Sequence, residues 1–168
     1  MKPATLRYLF PAWILAFSGL PATTAQAAPD LTCSVTAEPD AEAGTVAFTV
    51  TIENIGDTEA VQTVEGGGLI GMLKFHSNTE PDPLTEGGDR TLALDGPIAP
   101  SGTQVSNFTS TAAEITPGSY TAWCVVNVEE APLIEGELNF DNNAGFVDYV
   151  LEQPAPDSLP DLGGPLLA

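Results

Sequence analysis

Alternation of apolar and polar residues is the clearest pattern along this chain. Val46, Phe48, Val50 and Ile52 occupy every second position, with Ala47, Thr49, Thr51 and Glu53 between them. A period of two puts the four apolar side chains on one face of an extended strand. Leu31, Cys33, Val35 and Ala37 alternate in the same way with Thr32, Ser34 and Thr36. Further on, Tyr120, Ala122, Cys124, Val126 and Val128 share one face, and Thr121, Trp123, Val125 and Asn127 share the other. Residues 69–76, 90–94 and 144–151 read as further strands, and 103–111 as a less regular one around Val105 and Phe108. Residues 60–64 are a candidate strand that Gly66-Gly67-Gly68 would interrupt.

Turn chemistry punctuates these segments. Glu38-Pro39-Asp40 with Gly44 separates the first two, and Pro117-Gly118 opens the sixth. Asn54-Ile55-Gly56-Asp57 closes the second, with Gly56 suited to a positive φ. Residues 78–89 form a polar loop and 129–143 a long polar connection. No stretch holds a helical period. About seven short strands between turn signals indicate an all-β fold, a sandwich of two antiparallel sheets of immunoglobulin-like or fibronectin-III-like type.

The N-terminus follows different rules. Lys2 and Arg7 precede an apolar run over 9–20, broken once by Pro11, and Ala25-Gln26-Ala27 supplies a small-x-small site. That order is a secretory signal peptide, residues 1–27, cleaved after Ala27. The run is shorter than the roughly 20 residues that cross a bilayer. Residues 28–152 then form one domain, and 153–168, with four prolines and Gly163-Gly164, a flexible tail. Within the tail, residues 159–163 approach a sortase signal but lack its Thr. No later segment is apolar enough to span a membrane, so the mature chain is expected to be secreted, periplasmic or displayed at the cell surface.

Charge narrows the partners. The chain has 23 acidic residues against four Lys and Arg, a net charge of −19. Every acidic residue lies beyond residue 27, where Lys74 and Arg90 are the only basic ones. Such a surface repels nucleic acid and anionic lipid, which need a positive footprint. Two readings of the acidity stay open: adaptation to a salty medium, where screening removes self-repulsion, or an acidic binding face.

An exported chain meets an oxidising compartment, where two cysteines usually pair. Cys33 and Cys124 each alternate with core positions, so a bond between the first and sixth strands is feasible. Two free thiols and an intermolecular bond are the alternatives.

Several segments resemble the CARDB family, the cell-adhesion-related domains found in bacteria. Pro29-Asp30-Leu31 opens the domain, and residues 48–60 read FTVTIENIGDTEA. Residues 98–102 read IAPSG, 116–120 TPGSY and 139–143 NFDNN. The resemblance covers about residues 29–151. It implies a seven-stranded immunoglobulin-like sandwich used as a repeat or accessory module, with no catalytic set. The chain departs from the family at Phe140, where members often carry Glu, and in its two cysteines.

Candidate chemistry is sparse. His76 is the only histidine, and its neighbour Ser77 would face the other side of a strand. Met72 and His76 share parity, the outline of a weak copper site. Calcium is the stronger metal candidate, because it takes six to eight oxygen ligands. Glu137, Asp141 and Asn143 are the candidate ligands, weighed against local capping of turn backbone. No other cofactor is indicated. Asn107-Phe108-Thr109 is read as a chance sequon. Trp123 and Tyr149 are candidates for outward-facing aromatics.

The expected function is therefore an exported, non-catalytic binding, adhesion or structural module. Its candidate binding loops hold Asp57 and Asn139, Asp141, Asn142 and Asn143. The partner is a protein or a glycan, and the oligomeric state is open. A calcium-dependent binding module is the second reading, and a secreted enzyme the remote third.

Overall fold

The two best-alternating segments form the two longest strands. In the computed structural model, which describes residues 27–63, 69–82, 84–129 and 132–154, β1 is Leu31–Asp40 and β2 is Thr45–Asn54. They form an antiparallel hairpin in register from Leu31↔Asn54 to Asp40↔Thr45. Gly44 closes its turn at φ 66°, where a side chain would be strained. The other strands are β3 Leu69–Lys74, β4 Arg90–Ala93, β5 Thr103–Thr109, β6 Gly118–Val126 and β7 Ala144–Leu151.

The strands make two antiparallel sheets, ordered β1-β2-β5 and β4-β3-β6-β7. This is the expected all-β sandwich. Its fourth strand pairs with β3 and not with β5, which separates it from the constant-type immunoglobulin arrangement. Inward positions of both sheets fill the space between them. Leu31, Val46, Phe48, Val50 and Ile52 come from one sheet, and Leu73, Leu92, Ala122, Val126 and Leu151 from the other. Burying each large side chain contributes about 1.5–3 kcal/mol. At the centre the Phe48 and Phe75 rings stack at 4.7 Å, and Tyr149 meets Phe48 edge-on at 5.5 Å.

Tyr149 corrects an expectation. It faces inward, buried, and its hydroxyl donates to Phe75 O at 2.8 Å. It shares parity with Leu151, which is core, so the outward set of β7 is Phe146, Asp148 and Val150. Gly56 also differs. It is not among the residues with positive φ; instead, a Cβ there would meet Ala28 O at 2.4 Å. Close approach of backbone, not conformation, demands glycine. Residues 60–63 make single bridges, Ala60↔Ile98 and Gln62↔Ile134, in place of a strand. The Gly66-Gly67-Gly68 interruption, residues 1–26 of the leader expected over 1–27 and residues 155–168 of the tail expected over 153–168 lie outside the described residues.

Across the sandwich edge, Arg90 joins β4 to the β5–β6 turn. It donates to both carboxylate oxygens of Glu114, at 2.9 and 3.2 Å, and its guanidinium lies 5.0 Å from the Phe75 ring centre. The Arg90 pair holds the Glu114 carboxyl down at about 2.

Candidate functional site

The expected binding loops gather at the end of the sandwich where β1 begins, and backbone demand explains why. Residues 54–57 leave β2 directly beside residues 28–30. Ile55 N donates to Asp30 O at 2.7 Å, and Asp57 N to Ala28 O at 3.1 Å. Asn54, fully buried, spends all its hydrogen-bonding capacity here. Its Oδ1 accepts from Asp30 N and Gly56 N, and its Nδ2 donates to Thr58 O and Ile98 O. A buried amide is tolerated only when satisfied in this way. The sequence marks Asn54 only as a turn residue, because its bonds to Asp30 and Ile98 span distances that no local pattern shows.

The long β6–β7 connection closes over the same end. Glu137 is 5% exposed. Its Oε1 accepts from Leu31 N at 2.8 Å and its Oε2 from Asn127 Nδ2. Burial pushes the Glu137 carboxyl above its ordinary value, while bonds from Leu31, Asn127 and Asn143 pull it partly back. Asn127, at φ 39°, accepts from Leu133 N and Ile134 N through Oδ1. Asn143 is buried and donates from Nδ2 to Asn127 O at 2.9 Å.

The loop residues thus divide between two clefts. Asp57 and Asn139 line a shallow cleft of about 370 Å³ with Ala28, Asp30 and Leu138. Asp30 accepts from Asn142 Nδ2 at 2.9 Å and from Asn139 Nδ2 at 3.5 Å. Asp141 and Asn143 line a separate cleft of about 190 Å³ with Glu80 and Glu129.

Of the three candidate calcium ligands, Glu137 is turned to the interior, while Asp141 and Asn143 line the second cleft. Both Glu137 oxygens already accept internal bonds. Asn143 Oδ1 is buried without a hydrogen-bond partner, and together with the Asp141 carboxylate it falls short of the six to eight oxygens calcium takes. Among the described residues no three His, Cys, Asp or Glu side chains converge on a metal position.

His76 sits past the end of β3, so strand parity does not bring it to Met72. Its Nδ1 is 4.0 Å from Asp89 Oδ2, which already accepts from Phe75 N. The Ser77 hydroxyl donates to Thr79 O at 2.5 Å, away from any relay with the imidazole.

Cys33 and Cys124 meet between the sheets as buried thiols, with their Sγ atoms 2.6 Å apart. The Cys124 thiol and burial together push the Cys33 thiol far up.

An outward-facing aromatic pair lies on the other side of β6 and β7. Register places Lys74, Trp123 and Phe146 in one cross-strand row. The Trp123 and Phe146 rings sit 4.7 Å apart, tilted by 34°. Trp123 is half-buried and anchored by its Nε1 donating to Ser77 O at 3.2 Å. Phe146 is 60% exposed and Val150 55%. Thr121 and Asp148 bond across the same face at 2.6 Å. Parity of β7 relative to Leu151 was the signal that could have identified Phe146. A further, apolar cleft of about 420 Å³ lies between Met72, Leu84, Val125, Val128 and Leu133.

No family model and no curated protein matches the chain. Solved structures do. The crystal structure of a CARDB domain from Pyrococcus furiosus, in complex with di-metal ions, is 20% identical. The match covers 77% of this chain and 99% of that one, with a TM-score of 0.52. A solution structure of a CARDB domain from the same organism matches at 19% identity over 76% of this chain and 98% of that one, TM-score 0.48. The chain therefore has the CARDB fold that its ordered segments implied.

Proposed function

We propose that the chain is an exported, non-catalytic binding module whose contact surface is the outer face of β6 and β7. The observation that carries this reading is the Trp123–Phe146 pair. A large apolar side chain that is 60% exposed, seated against an anchored tryptophan, has the composition of an interface hot spot. The pair lies next to a sheet edge, because β7 is hydrogen-bonded to β6 alone in the sheet order. The net charge of −19 favours a basic protein over a second copy of this chain, because two copies would repel one another. Export is supported by the signal peptide pattern and by the confinement of all acidic residues to the chain beyond it.

A photo-crosslinking amino acid in place of Phe146, in the native cell, tests this. A discrete adduct with a basic protein is expected from position 146. Position 105, a valine on β5 that is 52% exposed, should not give it. Trp123→Ala should remove the adduct. Identical adducts from both positions, or none, would overturn the assignment; an adduct with a glycan would move the partner class.

A further inference from the structure

Ala28 joins the hydrogen-bond network through both of its backbone groups. Its backbone N lies 2.8 Å from Asp57 Oδ1, and Asp57 N donates back to Ala28 O at 3.1 Å. Gly56 sits directly beneath this exchange. A Cβ there would meet Ala28 O at 2.4 Å and Asp30 N at 2.5 Å, so the 54–57 loop closes on residues 28–30 without slack. The cleft at this point is lined by two carboxylates, Asp30 and Asp57, and by no Lys, Arg or His. Asp30 accepts side-chain amides from Asn139 and Asn142. The donor that reaches Asp57 Oδ1 is the main-chain nitrogen of Ala28.

We propose that Asp57 is the receptor for the α-ammonium group that signal peptidase uncovers at Ala28, so that processing locks the start of β1 with a charged pair. This rests on the reading of residues 1–27 as a cleaved leader. Hydrolysis of the Ala27–Ala28 amide consumes one water. Ala27 leaves with a new carboxylate, and Ala28 keeps its nitrogen as an amine, protonated at neutral pH because such amines titrate near about 7.7–8.0. A neutral amide donor thereby becomes an ammonium, and a hydrogen bond between ionised partners is roughly twice as strong as a neutral one. The position of the cut matters. Moving it by one residue displaces the ammonium by about 3.8 Å along the chain, out of reach of Asp57. The other ionisable group lining this cleft is Asp30. It is acidic and acts on the ammonium in the same direction as Asp57.

The full chain is expressed with its leader in an exporting host, and the processed protein is weighed and titrated. Its amines are labelled with ¹³C-methyl groups and followed by NMR from pH 6 to 11. Lys74 is the only lysine beyond the leader, so two signals are expected and are readily told apart. The expected result is a terminus at Ala28 whose amine titrates about one unit or more above the ordinary value, falling back in Asp57→Asn. An ordinary wild-type value overturns the inference without need of the variant. So does equal titration in wild type and variant. A terminus at another residue overturns it while leaving export standing. A mass that retains residues 1–27 overturns the export reading itself.

Discussion

Cys33 on β1 and Cys124 on β6 place their Sγ atoms 2.6 Å apart across the gap between the two sheets. A small side-chain adjustment brings them to the bonding distance of about 2.0 Å. In an oxidising compartment the pair is expected to lose two protons and two electrons to a disulfide oxidant and close into a bond. The intact mass of protein recovered from such a compartment should then be two hydrogens below the thiol form. A bond linking residues 91 apart is worth about 4–5 kcal/mol in the chain-entropy model, and often less. Cys33→Ser with Cys124→Ser should therefore lower urea stability by about 2–4 kcal/mol. In the reduced protein, burial and the neighbouring thiol keep Cys33 protonated, so iodoacetamide should label it only after unfolding. Rapid labelling of the folded, reduced chain would contradict this arrangement.

Asn54 is the amide on which one end of the sandwich depends. Asn54→Asp keeps the acceptor for Asp30 N and Gly56 N but removes the donors to Thr58 O and Ile98 O. It also sets a buried negative charge against two carbonyl oxygens. The expected loss is about 3–5 kcal/mol at neutral pH, easing as the medium is acidified. Asn54→Ala should cost about 1–3 kcal/mol. Urea melts of the two variants at pH 7 and pH 4.5 separate them. An aspartate variant no worse than the alanine one would show that the site is wetter than its burial indicates.

Periodicity made most of the strands legible. Residues 144–151 were bounded correctly, and β1 and β2 differ from expectation only at their ends. What sequence reading could not see was long-range hydrogen bonding. Glu137 meets Leu31 across 106 residues, and Asn54 reaches Asp30, Thr58 and Ile98 at once. No local pattern marks such residues as anchors, so the sequence offers Glu137 only as a candidate calcium ligand or a turn cap. Tyr149 was assigned the wrong face for a related reason. A strand bearing both Phe146 and Tyr149 carries apolar residues on each parity, and the parity Tyr149 shares with Leu151, with its place opposite Tyr120, puts it inside.

Glu137 and Glu114 should leave opposite marks on stability against pH. Burial raises the Glu137 carboxyl above its ordinary 4.5, so the folded chain holds that proton more tightly than the unfolded chain does. Its contribution is full below about 4.5 and is lost as pH rises through the folded value. Glu114 is held down at about 2 by Arg90. Its contribution is present above about 4.5 and fades as pH falls towards 2. Glu137→Gln keeps an acceptor for Leu31 N but turns an NH₂ against Asn127 Nδ2. Asn127 cannot flip in response, because its Oδ1 holds Leu133 N and Ile134 N. That variant should lose about 1–3 kcal/mol and show a flatter profile between pH 4.5 and 7. The difference between wild type and Glu114→Gln should vanish between pH 4.5 and 2. Parallel profiles for all three proteins would contradict both assignments.

Calcium provides the last test, because the acidic turn holds candidate oxygen ligands while its most buried carboxylate, Glu137, is committed to Leu31 and Asn127. With Glu137 bonded to Leu31 and Asn127, the oxygens left near the turn are Asp141, Asn143 Oδ1 and the cleft neighbours Glu80 and Glu129. They line one cleft without converging on a point. Millimolar calcium after EDTA treatment, at fixed high ionic strength, is therefore expected to leave the melting midpoint within about 1 °C. A ligand at 100 times its dissociation constant would stabilise by about 2.7 kcal/mol and move the midpoint by several degrees. A rise of that size, reversed by EDTA and lost in Asp141→Asn, would mean that the Asp141 cleft closes around an ion. The acidity of this end would then be a binding feature and not only a solvated surface.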